Sequence, residues 1–218
     1  YIQVDTDPQR VGWHVPAEVG IVGDPKLVLQ QIIDKIHEVK ADFSAKADDA
    51  WMKQMTKVRS NYEQMIIERA QATHDDLPIH PDRLTKDLVS VIDDDATLVV
   101  DSFTLSGYTS QWFTAHKMGQ IVDAGPLAPV GHGVGMGIGV QLARPGKQVV
   151  VVSGDGGIGI GGMDMETAAK YGIPIVTLLW NNSSWGPDFA SMPILKDRTD
   201  PFDMVPDIRY DKVFEPMG

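Results

Sequence analysis

At 218 residues with 43% apolar content and no cysteine, the chain suits one globular domain plus part of another, and it offers neither disulfides nor a thiolate for metal binding or catalysis. A formal net charge of −11 argues against a nucleic-acid partner, but not against a small anionic ligand held by a metal and a few aimed amides. No apolar run can span a bilayer and Tyr1 to Val4 does not open a signal peptide, so a cytoplasmic protein without membrane contact is expected.

Tyr1 to Val4 reads as a strand already under way, Asp5 to Pro8 as a turn, and Val19 to Gly23 as a second short strand. Asp24-Pro25 opens a helix, with Asp as N-cap and Pro at the first helical position, and Leu29, Ile32, Ile33 and Ile36 follow at helical spacing. Residues 1–39 thus read as the end of an α/β domain. Residues 40–76 read as a polar linker, Lys40 to Asp49, followed by an amphipathic helix carrying Trp51, Met55, Val58, Tyr62 and Met65. That apolar stripe is expected to pack against its own domain rather than a partner. Residues 77–218 form a further α/β domain. His80-Pro81 opens a helix to about Ile92, Asp93-Asp94-Asp95 is a solvated turn, and Thr97 to Val100 is a strand ending at Asp101. Gly125 to Gly139 is a Gly-rich turn entering a helix. Glycine occupies every second position from Gly131 to Gly139, which serves close helix packing, close approach to a ligand, or both. Alternating strands and helices predict a mostly parallel sheet with helices on both faces.

The most informative stretch is Val149 to Trp185. A run of valines ends in Gly154-Asp155-Gly156, a helical segment follows, and a second apolar run from Ile173 to Trp180 ends in Asn181-Asn182. Such a βαβ unit puts both turns at one sheet edge, so that Asp155 and Asn182, 27 positions apart, sit side by side. A carboxylate and an amide oxygen beside exposed backbone N–H groups suit a Mg²⁺ that carries a diphosphate. Gly154 to Gly159 also fits the G-x-G-x-x-G pattern of nicotinamide-binding folds. There Asp155 would repel the pyrophosphate, and the next strand would need an acidic residue for the ribose, where this chain has Asn181-Asn182. No G-x-S-x-G elbow occurs, so Ser183 and Ser184 are not read as hydrolase nucleophiles. His116 and His132, the nearest histidines, are expected to pack or hydrogen-bond rather than carry protons. Trp180, Met163 and Met165 read as core. Trp185 and Phe189 either shape a pocket or pack their own loop.

Gly154-Asp155-Gly156 followed by Asn181-Asn182 resembles the signature of thiamine-diphosphate-dependent enzymes. Tyr1 to Val22 looks like the end of that family's middle domain. Asp123-Ala124-Gly125 with Gly131 to Gly135 is similar to the cofactor loop of 2-hydroxyacyl-CoA lyases, oxalyl-CoA decarboxylases and acetolactate synthases. The resemblance implies the thiamine-diphosphate-binding fold for residues 77–218, incomplete at its carboxyl end. It implies that Asp155 and Asn182 bind Mg²⁺ by side chain, that the Ser184 carbonyl supplies a third ligand, and that Gly154, Gly156 and Gly157 bring the backbone to the diphosphate. Val130 stands where the family places a larger apolar wedge under the cofactor, and Ala128-Pro129 replace the usual Gly-Thr before it. Asp101 to Ser106 would border the diphosphate and pyrimidine.

The cofactor, not a protein nucleophile, would carry the chemistry. The implied reaction is carbon–carbon cleavage or ligation. The favoured form is a 2-hydroxyacyl-CoA lyase giving formyl-CoA and an aldehyde or ketone from a small acyl-CoA substrate; the alternative is an acetolactate-synthase-like carboligase or 2-keto acid decarboxylase. The family's activating Glu lies in an amino-terminal domain of the partner subunit. The chain is therefore expected to be a piece of a longer protein, or else one half of a split enzyme with a companion amino-terminal subunit. A homodimer or homotetramer with the active site between subunits is implied. A catalytically silent cofactor-binding subunit and a nicotinamide oxidoreductase are the readings from other classes.

Overall fold

A computed structural model of the chain describes residues 1–39, 49–103, 106–186, 200 and 202–218. The expected linker, Lys40 to Asp49, falls almost wholly outside the described residues. Two compact units are present, Tyr1–Ser60 and Asn61–Gly218.

In the first unit, β1 (Ile2–Asp5) pairs in parallel with β2 (Val19–Val22), and α1 (Pro25–Glu38) follows. The Asp24 carboxylate caps α1 by accepting from the backbone N–H of Lys26 at 2.9 Å and of Leu27 at 3.1 Å, satisfying two of the orphan donors at a helix start. The helix forms where the spacing predicts it, yet Leu29, Ile32 and Ile33 remain 40–57% exposed.

Helix α2 (Ala50–Ala72) spans the boundary between the units. Its predicted stripe is not covered: Trp51, Met55, Val58, Tyr62 and Met65 are all at least 45% exposed. The helix is buried instead through Ile66 and Ala70, so the expectation that the stripe packs on its own domain is wrong. Near that buried end, the Arg69 guanidinium donates to the fully buried carboxylate of Asp82 through Nε and, at 3.0 Å, through Nη2. It also donates to Gln111 Oε1 at 2.7 Å and lies over the Tyr108 ring. Trp112 Nε1 donates to Asp82 at 3.0 Å. This clasp joins α2 to α3 (Pro81–Val91) and α4 (Ser106–Trp112). Burial alone would raise the Asp82 pKa, but hydrogen bonds from Arg69 and Trp112 and the Arg69 charge outweigh it and hold the carboxyl below its ordinary value.

The second unit is built on a four-stranded, all-parallel sheet in the order β4-β3-β5-β6, with β3 at Thr97–Val100, β4 at Ile121–Asp123, β5 at Val149–Gly154 and β6 at Val176–Trp180. Every residue of β3 and β5 is buried, as a parallel strand covered on both faces requires. On one face Leu98, Val100, Val150, Val152 and Trp180 pack with Leu84, Leu88 and Ile92 from α3 and its end and with Tyr108 of α4. On the other, Val99, Val149 and Val151 pack with Met136 and Val140 of α5 (Gly133–Ala143). The result is the predicted sheet with helices on both faces. Strand β4, three residues long, was not predicted.

Some of the alternating glycines serve that packing. A Cβ at Gly137 would collide with Val151, one at Gly133 would lie 3.0 Å from the Asp101 Cβ, and one at Gly139 would meet open space. The predicted helix after the Gly-Asp-Gly turn is split into α6 (Asp155–Gly161) and α7 (Asp164–Tyr171). Met163, expected in the core, lies at that break and is 64% exposed. Among the described residues no helix is long and apolar enough to cross a membrane.

Candidate functional site

The sheet topology selects one place for a ligand. From β3 the chain moves outward to β4, then returns across β3 to β5 and continues outward to β6. The crevice beyond the carboxyl ends of β3 and β5 is therefore the switch point at which open α/β sheets bind ligands. Asp101, Ser102 and Phe103 follow β3 there, and Gly154 ends β5.

Register brings the second loop in. Gly154 is the partner of Trp180 across β5 and β6, so Asp155 and Asn182 both emerge at the carboxyl edge of adjacent strands. A cavity of about 260 Å³ opens at this edge. Its walls include all seven residues singled out from the sequence: Val130, Gly154, Asp155, Gly156, Gly157, Asn182 and Ser184. Phe103, Trp180 and Trp185 complete the apolar part of the lining.

Asp155 is buried at 4% exposure. Its Oδ1 accepts from the Gly156 backbone N–H at 2.9 Å, whereas its Oδ2 is buried with no hydrogen-bond partner. An ionised oxygen left so is costly unless something positive meets it. Asn182 is exposed, and its Oδ1 accepts from the Ser184 N–H at 3.2 Å, an Asx turn that shapes the loop. Ser184 pairs with Asp203 in an antiparallel bridge. The flanking bonds, Trp185 N–H to Phe202 C=O and Met204 N–H to Ser183 C=O, make this a non-hydrogen-bonded pair, so the Ser184 carbonyl points away from the 202–204 segment. Asp155, Asn182 and Ser184 thus line one cavity, and a carboxylate, an amide oxygen and a main-chain carbonyl are a donor set suited to a hard divalent cation. No group of three or more His, Cys, Asp or Glu that could hold a metal is present among the described residues, so a cation here would need such a mixed set.

The two glycines after Asp155 are steric requirements. A Cβ at Gly156 would lie 2.5 Å from the Trp185 ring, and one at Gly157 would lie 2.6 Å from Asp101 Oδ2 and from Ser153 Oγ. Trp185 therefore does more than pack its own loop: it covers the turn and walls the cavity. Phe189 lies outside the described residues, as do Thr104 and Leu105. Trp180 is in the core as expected, and its ring meets Phe103 edge-on with centroids 5.4 Å apart. Its Nε1, buried without a partner, is an unused donor on a residue that lines the cavity.

Neither histidine is among the described residues lining the cavity. His116 is exposed, and its backbone N–H is held by Gln120 Oε1 at 2.7 Å. His132 hydrogen-bonds locally, as expected, with Nδ1 2.6 Å from the Pro129 carbonyl and 3.1 Å from Asp101 Oδ1. Asp123, Ala124 and Gly125 line an adjacent cavity of about 220 Å³ with Asp101 and Ser102. Tyr210 was not foreseen: burial, and then the nearby Asp155 charge, raise its phenol above the ordinary value. Asp101 and Phe103 fall in the stretch, Asp101 to Ser106, that the resemblance sets beside the cofactor, and both follow a buried parallel strand at its carboxyl end. Tyr210 gives no such signal.

Residues 104–200 match the family described as "Thiamine pyrophosphate enzyme, C-terminal TPP binding domain". The chain is 31% identical over 152 residues to "Acetolactate synthase large subunit IlvG" of Mycobacterium tuberculosis, covering 70% of this chain and 28% of that protein. It is 28% identical over 230 residues to "2-hydroxyacyl-CoA lyase" of Arabidopsis thaliana, covering 100% of this chain and 39% of that protein. Among solved structures it is similar to the thiamine diphosphate-dependent 4-hydroxybenzoylformate decarboxylase of Rhodococcus jostii RHA1, with a TM-score of 0.58 and 28% identity over 64% of this chain and 26% of that one. The chain thus spans well under half the length of these relatives.

Proposed function

Because the chain belongs to the thiamine-diphosphate-dependent enzyme superfamily, as a C-terminal part that binds thiamine diphosphate, we propose that it forms the Mg²⁺ and diphosphate half of the active site of a carbon–carbon lyase or carboligase. The observation that carries this reading is the buried, unpartnered Oδ2 of Asp155. It sits at the tip of β5, beside a loop that offers the Asn182 amide oxygen and the Ser184 carbonyl. These three oxygens would hold Mg²⁺, and Gly154, Gly156 and Gly157 line the same cavity, where the diphosphate would lie. Val130, in the same lining, would support the ring portion. When bound, thiamine diphosphate supplies a nucleophilic carbon and an electron sink. The chain's own share is to bind and orient it and, through Phe103, Trp180 and Trp185, to keep water from the reacting end.

The favoured reaction is that of a 2-hydroxyacyl-CoA lyase, since the relative of that name aligns with the whole chain. A second reading, acetolactate-synthase-like carboligation of 2-keto acids, is favoured by the higher identity to the mycobacterial relative. On either reading residues 1–39 are the end of a middle domain and residues 77–218 the diphosphate-binding domain. A homo-oligomer with the active site between subunits, or a companion amino-terminal subunit, would bring the activating Glu to this half of the site.

Calorimetry on the full-length protein tests the common core: thiamine diphosphate should bind with Mg²⁺ and not in EDTA, and Asp155→Ala should weaken binding roughly 100-fold. Unchanged affinity in Asp155→Ala sinks the reading. Turnover of a 2-hydroxyacyl-CoA against pyruvate separates the two reactions.

A further inference from the structure

We propose that Asp101 is a positioning residue: its carboxylate sets the spacing between the Val130 loop and the Gly154–Gly157 turn. This rests on the reading of those two segments as the two ends of a cofactor cradle.

Asp101 is 2% exposed. Its Oδ1 accepts from the backbone N–H of Gly131 at 2.9 Å and of Ser102 at 2.7 Å, and lies 3.1 Å from His132 Nδ1. Its Oδ2 accepts from Ser153 Oγ at 2.7 Å. His132 Nδ1 faces two groups that can only accept, this carboxylate and the Pro129 carbonyl, so Nδ1 carries the proton and the ring bridges the loop back to Asp101. The partners come from three separated segments. Gly131 and His132 directly follow Val130, Ser153 stands two residues before Asp155, and Ser102 continues β3. Both oxygens are engaged by protein donors, and the side chain is buried and does not line the cavity of Asp155 and Asn182. Asp101 therefore acts through its neighbours. The fit is tight on the cofactor side too, because any side chain at Gly157 would strike both Asp101 Oδ2 and Ser153 Oγ.

The geometry makes asparagine a conservative replacement. Its remaining oxygen can face the three donors on the Oδ1 side. Its NH₂ can donate to Ser153 Oγ, whose own hydrogen can turn to the Gly154 carbonyl, 3.3 Å away. Alanine leaves the Gly131 and Ser102 N–H groups without their acceptor, while Ser153 and His132 keep only the Gly154 and Pro129 carbonyls, which costs on the order of a tenfold or larger factor.

The test is titration of the full-length protein with thiamine diphosphate at saturating Mg²⁺, read by quenching of tryptophan fluorescence, since Trp180 and Trp185 line the cavity. Binding should weaken at least about tenfold in Asp101→Ala and stay within about threefold of wild type in Asp101→Asn, with Ser153→Ala weakened roughly two- to fivefold. Asp101→Ala within twofold of wild type, or Asp101→Asn as weak as Asp101→Ala, overturns the proposal. If Asp101→Ala does not fold, wild-type affinity in Ser153→Ala overturns it. A wild-type protein that does not bind the cofactor removes the functional reading and this proposal with it. Loss of binding in Asp155→Ala with none in the Asp101 and Ser153 variants removes this proposal alone.

Discussion

Among the described residues of Tyr1–Ser60, only Val28 is buried, whereas in Asn61–Gly218 every residue of β3 and β5 is. Both units carry parallel strands and helices with apolar residues at helical spacing. The difference lies in what stands opposite the helices. A two-stranded pair offers too little surface to cover α1, while the four-stranded sheet is sandwiched between α3 with α4 and α5. Apolar periodicity thus specifies that a helix forms and which face is apolar. What covers that face depends on partners the periodicity does not name.

Substitutions on each side sharpen this contrast. Leu98→Ala, in the fully buried centre of the sheet, should cost roughly 3–4 kcal/mol, read as a lower urea midpoint. Arg69→Ala should cost roughly 3 kcal/mol, because it leaves the fully buried Asp82 carboxylate without its cation. The same ion pair governs acid stability. The folded Asp82 pKa lies below its ordinary value of 3.8, so its contribution is complete above that pH and is lost as pH falls through the lowered value. Wild-type stability should therefore drop steeply below about pH 4, and the slope should flatten in Arg69→Ala. The smallest effect is expected at Ile33, 45% exposed on α1, where Ile33→Ser should shift stability by no more than about 0.5 kcal/mol. A loss at Ile33 comparable to that at Leu98, measured on the isolated chain, would break the contrast.

Much of this was legible in the sequence. The Asp24-Pro25 and His80-Pro81 helix starts, the strand Thr97–Val100 and the valine run of β5 are local signals, set by capping chemistry and β-branching. The gathering of Asp155 with Asn182 followed from one rule, that parallel strands share an edge. The helix break at Met163 was not legible, because close approaches at Gly161 and Gly162, including one to the Gly131 carbonyl, are tertiary facts. Strand β4 escaped notice because three residues carry no periodicity. The role of Asp101 was only half visible. Its position at a strand end marked it, but its donors come from Ser102, Gly131, His132 and Ser153, whose convergence depends on the fold.

The bare face of α2 gives an experimental handle. Met52, Met55 and Met65 lie open to solvent at 45–52% exposure, while Met136 packs against a buried valine cluster. Mild peroxide converts accessible thioethers to sulfoxides first. Peptide mass mapping after brief oxidation therefore reports directly on this helix: rapid labelling of those three methionines in the intact assembly means the face stays naked, and protection means another surface has claimed it.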